Sequence, residues 1–284
     1  MNKKVIISAD STCDLPAELL KKHNILTTPL HIILGEATYE DLVNITPDDI
    51  YAHFEKTGQL PKTAAVNMQE YIDKFKPYVD EGYEIVHLNI GGALSTSHQQ
   101  CKLAARELGN VYPVDSCNIT TGTGLLVLEA VEMAEKGLSG AEIVENIKKL
   151  VPKAHSNFIV DKLTYLHAGG RCSAVALLGS NLLKIKPCIE VNNADGSMNV
   201  GKKYRGNLKK VLEQYVNDKL SAYDNISKKR VFITHAGIPQ ETVDTLYNMV
   251  KERNYFDEVL ITRASCTISS HCGPDTMGLI FMTE

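Results

Sequence analysis

The chain opens with an apolar run. Val5, Ile6, Ile7 and Ala9 crowd into residues 4–10, and polarity returns at Asp10-Ser11-Thr12. A continuous Val/Ile-rich run of this length fits a strand buried on both faces of a parallel sheet. Further runs predict strands at 25–34, 84–90 and 110–114. Helices are predicted between them. The first runs from Pro16 to about residue 23, with Ser11 or Asp14 as cap. The second runs through residue 56, opened by Thr46-Pro47-Asp48-Asp49, where Thr46 suits an N-cap and the acids suit the first turn. Others are expected at 69–78, 94–107, 120–136 and 139–149. Strand and helix alternate, as in a doubly wound parallel sheet.

After Val151-Pro152 the pattern changes. Strands are predicted at 156–160, 185–192, 198–204, 230–235, 258–262 and 277–282, and helices at 174–183, 208–223 and 241–253. Asn193-Ala194-Asp195-Gly196 joins two of the strands as a hairpin, an antiparallel pairing foreign to the first half. At 284 residues the chain is near the size at which one core divides in two. The expectation is an α/β protein of two domains: an N-terminal α/β/α parallel-sheet domain over 1–152 and a C-terminal mixed-sheet α+β domain over 153–284.

Composition narrows the function classes. The 44% hydrophobic and 23% charged shares are those of an ordinary globular chain. A net charge of -4 with only short basic runs argues against a nucleic-acid surface. The N-terminal apolar run is too short for a signal peptide, and no segment approaches the roughly 20 apolar residues of a membrane span. A soluble cytoplasmic protein with no stable membrane insertion is expected. The seven cysteines are odd in number and form no CxxC pair, so reduced, mostly buried thiols are expected and no metal site.

The familiar chemical motifs are absent. The chain has no GxxxxGK[ST], no GxGxxG after the first strand, no GxSxG and no HExxH. What remains is hydroxyls and glycines at strand ends. Gly91-Gly92-Ala93-Leu94-Ser95-Thr96-Ser97 lies between a strand and a helix, where backbone N–H groups and hydroxyls favour an anion. Plain N-capping by Ser95 fits the same spacing. Thr63 sits in a loop before a helix and fits a cap equally well. Arg171 follows Gly169-Gly170, where it can satisfy helix-end carbonyls. His271 lies in a polar loop, Ser269-Ser270-His271-Cys272-Gly273-Pro274, just before the last strand. One enzymatic reading is a serine-type hydrolase or acyltransferase with Ser95 as nucleophile, His271 as base and Asp115 or Asp10 as the orienting acid. The missing nucleophile elbow argues against it.

Taken in order, six segments resemble the DegV family. They are Ile7-Ser8-Ala9-Asp10-Ser11-Thr12-Cys13-Asp14-Leu15-Pro16, Lys62-Thr63-Ala64, Leu94-Ser95-Thr96-Ser97, Val114-Asp115-Ser116, the stretch 163–171 and Ser270-His271-Cys272-Gly273-Pro274. The resemblance implies a two-domain α/β protein with one long-chain fatty acid between the domains and no other cofactor. It implies that Thr63 and Ser95 hydrogen-bond the carboxylate, with His271 at the same end. It further implies presentation of that carboxylate to a separate fatty acid kinase subunit for acyl-phosphate formation in phospholipid metabolism, with no catalysis by the chain itself. We expect Arg171 to serve partner docking or phosphate contact. Val175, Leu177, Leu178, Leu182 and Leu183 are candidates for a tunnel wall, though helical core packing explains that stretch as well. The chain departs from the family pattern at Ala64, Thr96 and Asp275.

Overall fold

The computed structural model describes residues 4–178 and 185–284. The first half contains β1 (Val5–Asp10), α1 (Ala17–Lys22), β2 (Leu26–Thr28), β3 (His31–Leu34), β4 (Ala37–Glu40), α2 (Pro47–Thr57), β5 (Lys62–Ala64), α3 (Met68–Asp80), β6 (Glu84–Asn89), α4 (Ser97–Leu108), β7 (Val111–Asp115), α5 (Thr121–Glu135) and α6 (Gly140–Leu150). Strands β2-β1-β6-β7 form an all-parallel sheet, as the apolar runs predicted. Thr46 caps α2 through a full capping box with Asp49.

Two local expectations are corrected. The single strand over 25–34 divides at Pro29. Proline has no N–H to give a ladder, so β2 stays beside β1 while β3 joins β4 and β5 in a small antiparallel sheet. Neither Ser11 nor Asp14 caps α1, whose N-cap is Pro16. The Ser11 hydroxyl donates to Asp41 at 2.9 Å, and the Asp14 carboxylate accepts from the Thr120 hydroxyl at 2.6 Å and the Ser265 N–H at 3.0 Å.

The second half contains β8 (Ala154–His155), β9 (Asn157–Ile159), α7 (Thr164–Gly169), a 3-10 segment (Ser173–Leu178), β10 (Lys186–Val191), β11 (Met198–Tyr204), α8 (Leu208–Ser221), β12 (Ile226–His235), α9 (Gln240–Lys251), β13 (Glu258–Arg263), α10 (Cys266–Cys272) and β14 (Met277–Thr283). The sheet order is β11-β10-β9-β14-β12-β13, with β8 beside β14; the β12–β13 pair is parallel and the others antiparallel. The predicted hairpin at 193–196 joins β10 to β11.

The predicted helix at 174–183 is the 3-10 segment as far as residue 178. Of the proposed wall residues, Val175 is buried; the side chains of Leu177 and Leu178, and all of Leu182 and Leu183, lie outside what is described. The polar stretch 269–274 is not simply a loop. Its first four residues belong to α10, capped by Ser265. Its Ser, Thr, Cys and His content disguises a buried helix.

Helix α5 joins the two halves. It is apolar almost all round, the signature of a helix buried on every side. It packs in one core with Val86, Leu88 and Val114 of the parallel sheet and with Phe232, Ile280 and Met282 of the mixed sheet. Lys229 and Arg230 of β12 pair with Glu129 and Glu132 of α5 at the edge of that contact.

A second junction sets the position of α10. The fully buried Asp41 carboxylate accepts the N–H groups of Cys266 at 2.7 Å and Thr267 at 3.3 Å, beside the Asp14–Ser265 bond. Two carboxylates from the first half thus satisfy N–H groups that a helix start leaves free. Ile32, Ile45 and Ile50 pack on Cys266 alongside them.

Candidate functional site

The turn after β6 is held from below by Asp10. Its fully buried carboxylate accepts from the Tyr71 hydroxyl at 2.7 Å, the Ile90 N–H at 3.0 Å and Asn89 Nδ2 at 3.2 Å, and pairs with His87 Nε2 at 3.0 Å. The chain then passes through Gly91 and Gly92, where close approach rather than backbone angle requires glycine. A Cβ at 92 would sit 2.6 Å from Asp115 Oδ2, and the Gly92 N–H donates to Asp115 Oδ1 at 3.0 Å.

Helix α4 begins at Ser97, so Ser95 lies in the turn before it. Plain N-capping does not describe Ser95: the N-cap is Thr96, whose side chain makes no capping bond. The Ser95 hydroxyl accepts the Ser97 N–H at 3.2 Å and pairs with the Ser97 hydroxyl at 2.9 Å. If Ser97 donates in that pair, the Ser95 proton is free for a ligand.

Thr63 is on β5, not in a capping loop. Its Oγ1 lies 2.8 Å from His271 Nε2, across 208 residues of sequence. Burial, reinforced by the nearby Arg171 charge, pushes the His271 imidazole down to about 4, so it is neutral at pH 7. Arg171 donates to the Gly169 carbonyl at 2.8 Å and to the Leu94 carbonyl at 3.4 Å. It thus closes the end of α7 and ties it to the Ser95 turn.

Thr63, Ser95, Arg171 and His271 line one cavity of about 410 Å³. That lies within the roughly 300–1,000 Å³ typical of small-molecule sites. Ala64 and Thr96 line it too. Asp275 does not; it adopts a left-handed backbone at φ 61°, a conformation Asp tolerates better than most residues. At Ile119, Met198, Ile268 and His271 the chamber adjoins an apolar cleft walled by Phe158, Leu166, Ala236, Ala264 and Ile280. Sequence reasoning missed these shared wall residues, and it missed Thr267. Each comes from an element whose pattern gives only its burial, not the cavity it faces.

The serine-hydrolase constellation is not assembled. The His271 ring bonds Thr63 rather than Ser95, and its Nδ1 has no partner among the described residues, where a triad needs a carboxylate. Asp10 is occupied as above, and Asp115 accepts the Gly92 and Cys117 N–H groups. No group of three or more metal-ligating side chains occurs among the described residues, and none of their helices is long and apolar enough to cross a membrane.

Fold and cavity together define a two-lobed α/β protein with a hydroxyl-lined chamber beside an apolar cleft. The chain belongs to the DegV family: residues 4–284 match the family model described as "Uncharacterised protein, DegV family". It is 32% identical to a DegV domain-containing protein of Clostridium perfringens, with 99% of each chain covered. Among solved structures it is similar to a DegV family protein of Thermus thermophilus described by its fatty acid binding, at 27% identity and TM-score 0.90, covering 99% of this chain and 100% of that one. It is also similar to a stearic acid-binding protein of Eubacterium ventriosum, at 27% identity and TM-score 0.82, covering 99% and 98%.

Proposed function

We propose that this protein binds one long-chain fatty acid and presents its carboxylate to a separate kinase for acyl-phosphate formation. One observation carries the reading: Thr63, Ser95 and His271 meet in a chamber that shares wall residues with an apolar cleft. The fatty acid binding described for the Thermus thermophilus and Eubacterium ventriosum relatives supports it.

A sixteen-carbon chain buries about fourteen methylenes, a gross gain of roughly 11 kcal/mol. A bilayer offers a similar gain, so the tail alone does not draw the lipid into a protein. The head-group site makes the difference. When His271 Nε2–H donates to Thr63 Oγ1, the Thr63 proton is free to donate to the carboxylate, and Ser95 supplies a second hydroxyl. No cation grips the carboxylate in this arrangement, so its oxygen stays nucleophilic towards a phosphate. We assign Arg171, an exposed residue of the chamber lining, to contact with the kinase or the phosphate it carries. A fatty acid held inside a protein suits a carrier working in the cytoplasm.

The test is direct. Protein purified from its own cells is denatured, extracted and weighed by mass spectrometry. One fatty acid per chain is expected. Absence of stoichiometric fatty acid, together with no uptake of added palmitate or oleate, overturns the reading.

A further inference from the structure

Thr267 is a polar residue of the chamber wall that the head-group assignment leaves unused. It lines the same cavity as Thr63, Ser95 and His271. The residue is only 4% exposed, yet its Oγ1 has no hydrogen-bond partner among the described residues. Buried hydroxyls are rarely left so.

The local structure explains why no internal partner is available. A helical threonine ordinarily returns its hydroxyl to the carbonyl one turn back. Thr267 is the second residue of α10, so the position one turn back belongs to β13. The Asp41 carboxylate takes the backbone N–H of Thr267 and is shared with Ser11 and Cys266. Thr267 and His271 are four residues apart and therefore on one face of the helix, about 6 Å apart along its axis. The chamber wall also includes Ala64 and Ala65, whose side chains offer no donor. An unspent hydroxyl thus stands one helical turn from the imidazole, on a residue of the chamber wall.

We propose that the Thr267 hydroxyl is a further donor to the ligand's carboxylate, an assignment that rests on the fatty-acid reading above. A carboxylate offers about four lone-pair sites. Thr63 and Ser95 occupy two, and Thr267 occupies a third. The hydroxyl is then unsatisfied only while the chamber is empty. Its effect is selectivity: it favours an ionised carboxylate over a fatty alcohol of equal length, which has fewer lone pairs to offer and itself needs an acceptor.

Valine has the shape of threonine without the hydroxyl, and no protein hydrogen bond is lost in Thr267→Val. Delipidated wild type, Thr267→Val and Thr267→Ser are titrated with palmitate and with hexadecanol and melted without ligand. Thr267→Val should melt no lower than wild type, bind palmitate about ten-fold more weakly or worse, and narrow the preference for palmitate over hexadecanol. Thr267→Ser should restore most of the palmitate affinity. Equal palmitate binding by wild type and Thr267→Val overturns this assignment and leaves the fatty-acid reading standing. So does a Thr267→Val protein that melts lower and loses both ligands in proportion, since that is the mark of a structural hydroxyl. Wild type that takes up neither ligand overturns the fatty-acid reading, and this assignment with it.

Discussion

Gly169 and His271 meet backbone to ring: a β-carbon at position 169 would fall inside the van der Waals radius of the imidazole, nearest to Nδ1. The last residue of α7 is glycine because α10 brings a histidine against it. The same contact leaves Nδ1 facing a glycine α-carbon, which accounts for its missing partner. Gly169→Ala should push the ring away and break the 2.8 Å bond from His271 to Thr63. Overpacking of this kind is destabilising by about 1–3 kcal/mol. Denaturant unfolding and palmitate titration should both show a loss; a variant matching wild type in both would show that the ring relaxes freely.

Ser95→Ala should weaken fatty-acid binding by roughly ten-fold to a hundred-fold, the effect of one hydrogen bond to a charged group. Thr63→Val should do the same and also free the His271 ring. Titration of each delipidated variant with oleate is the measurement. Unchanged affinity in Ser95→Ala would remove Ser95 from the site. Neither variant should gain or lose ester hydrolysis, since no triad is assembled.

Two buried groups give stability opposite slopes with pH. Burial pushes Asp14 up from 3.8 to about 7. A carboxyl whose folded value is raised contributes stability at low pH that is lost as pH rises through about 7. Burial and Arg171 push His271 down from 6.5 to about 4. Its contribution is present above 6.5 and is lost as pH falls towards about 4. Asp14→Asn keeps an acceptor for the Ser265 N–H but cannot ionise. The melting temperature of Asp14→Asn minus that of wild type should therefore rise between pH 5 and 8; a flat difference would contradict the raised value.

Arg171→Ala should keep fatty-acid affinity but lose acyl-phosphate formation with the cognate kinase. The variant forfeits bonds to two carbonyls, so a stability loss of about 1 kcal/mol is expected. Arg171→Lys should also be impaired, because lysine lacks the planar fork of donors. Full-rate acyl-phosphate formation by both variants would leave Arg171 a brace and nothing more.

Much of this was legible in the chain. Residues 84–90 read as a buried strand because every position of β6 is apolar or internally bonded, and Thr46 read as a cap because its capping box is local. The four candidate residues were legible as motifs, and all four line one chamber. What sequence could not reveal was held by distant partners. Helix α10 looked like a polar loop because its start is satisfied by Asp14 and Asp41, more than 200 residues away. Strands β4 and β5 are short and largely polar, and β5 is held by pairing with β3 and by the bond from Thr63 to His271, both distant in sequence. Thr267 carried no signal, since its interest lies in a bond it does not make.

Helix α5 has one more consequence. Because its apolar surface is shared between the parallel sheet and the mixed sheet, neither half can be pulled away without wetting the other's interior. The protein should therefore melt in a single calorimetric transition, and separately expressed halves should fail to fold alone. If the protein carries the fatty acid proposed for it, exchange should proceed without the lobes parting like a clamshell, by movements small enough to leave α5 dry.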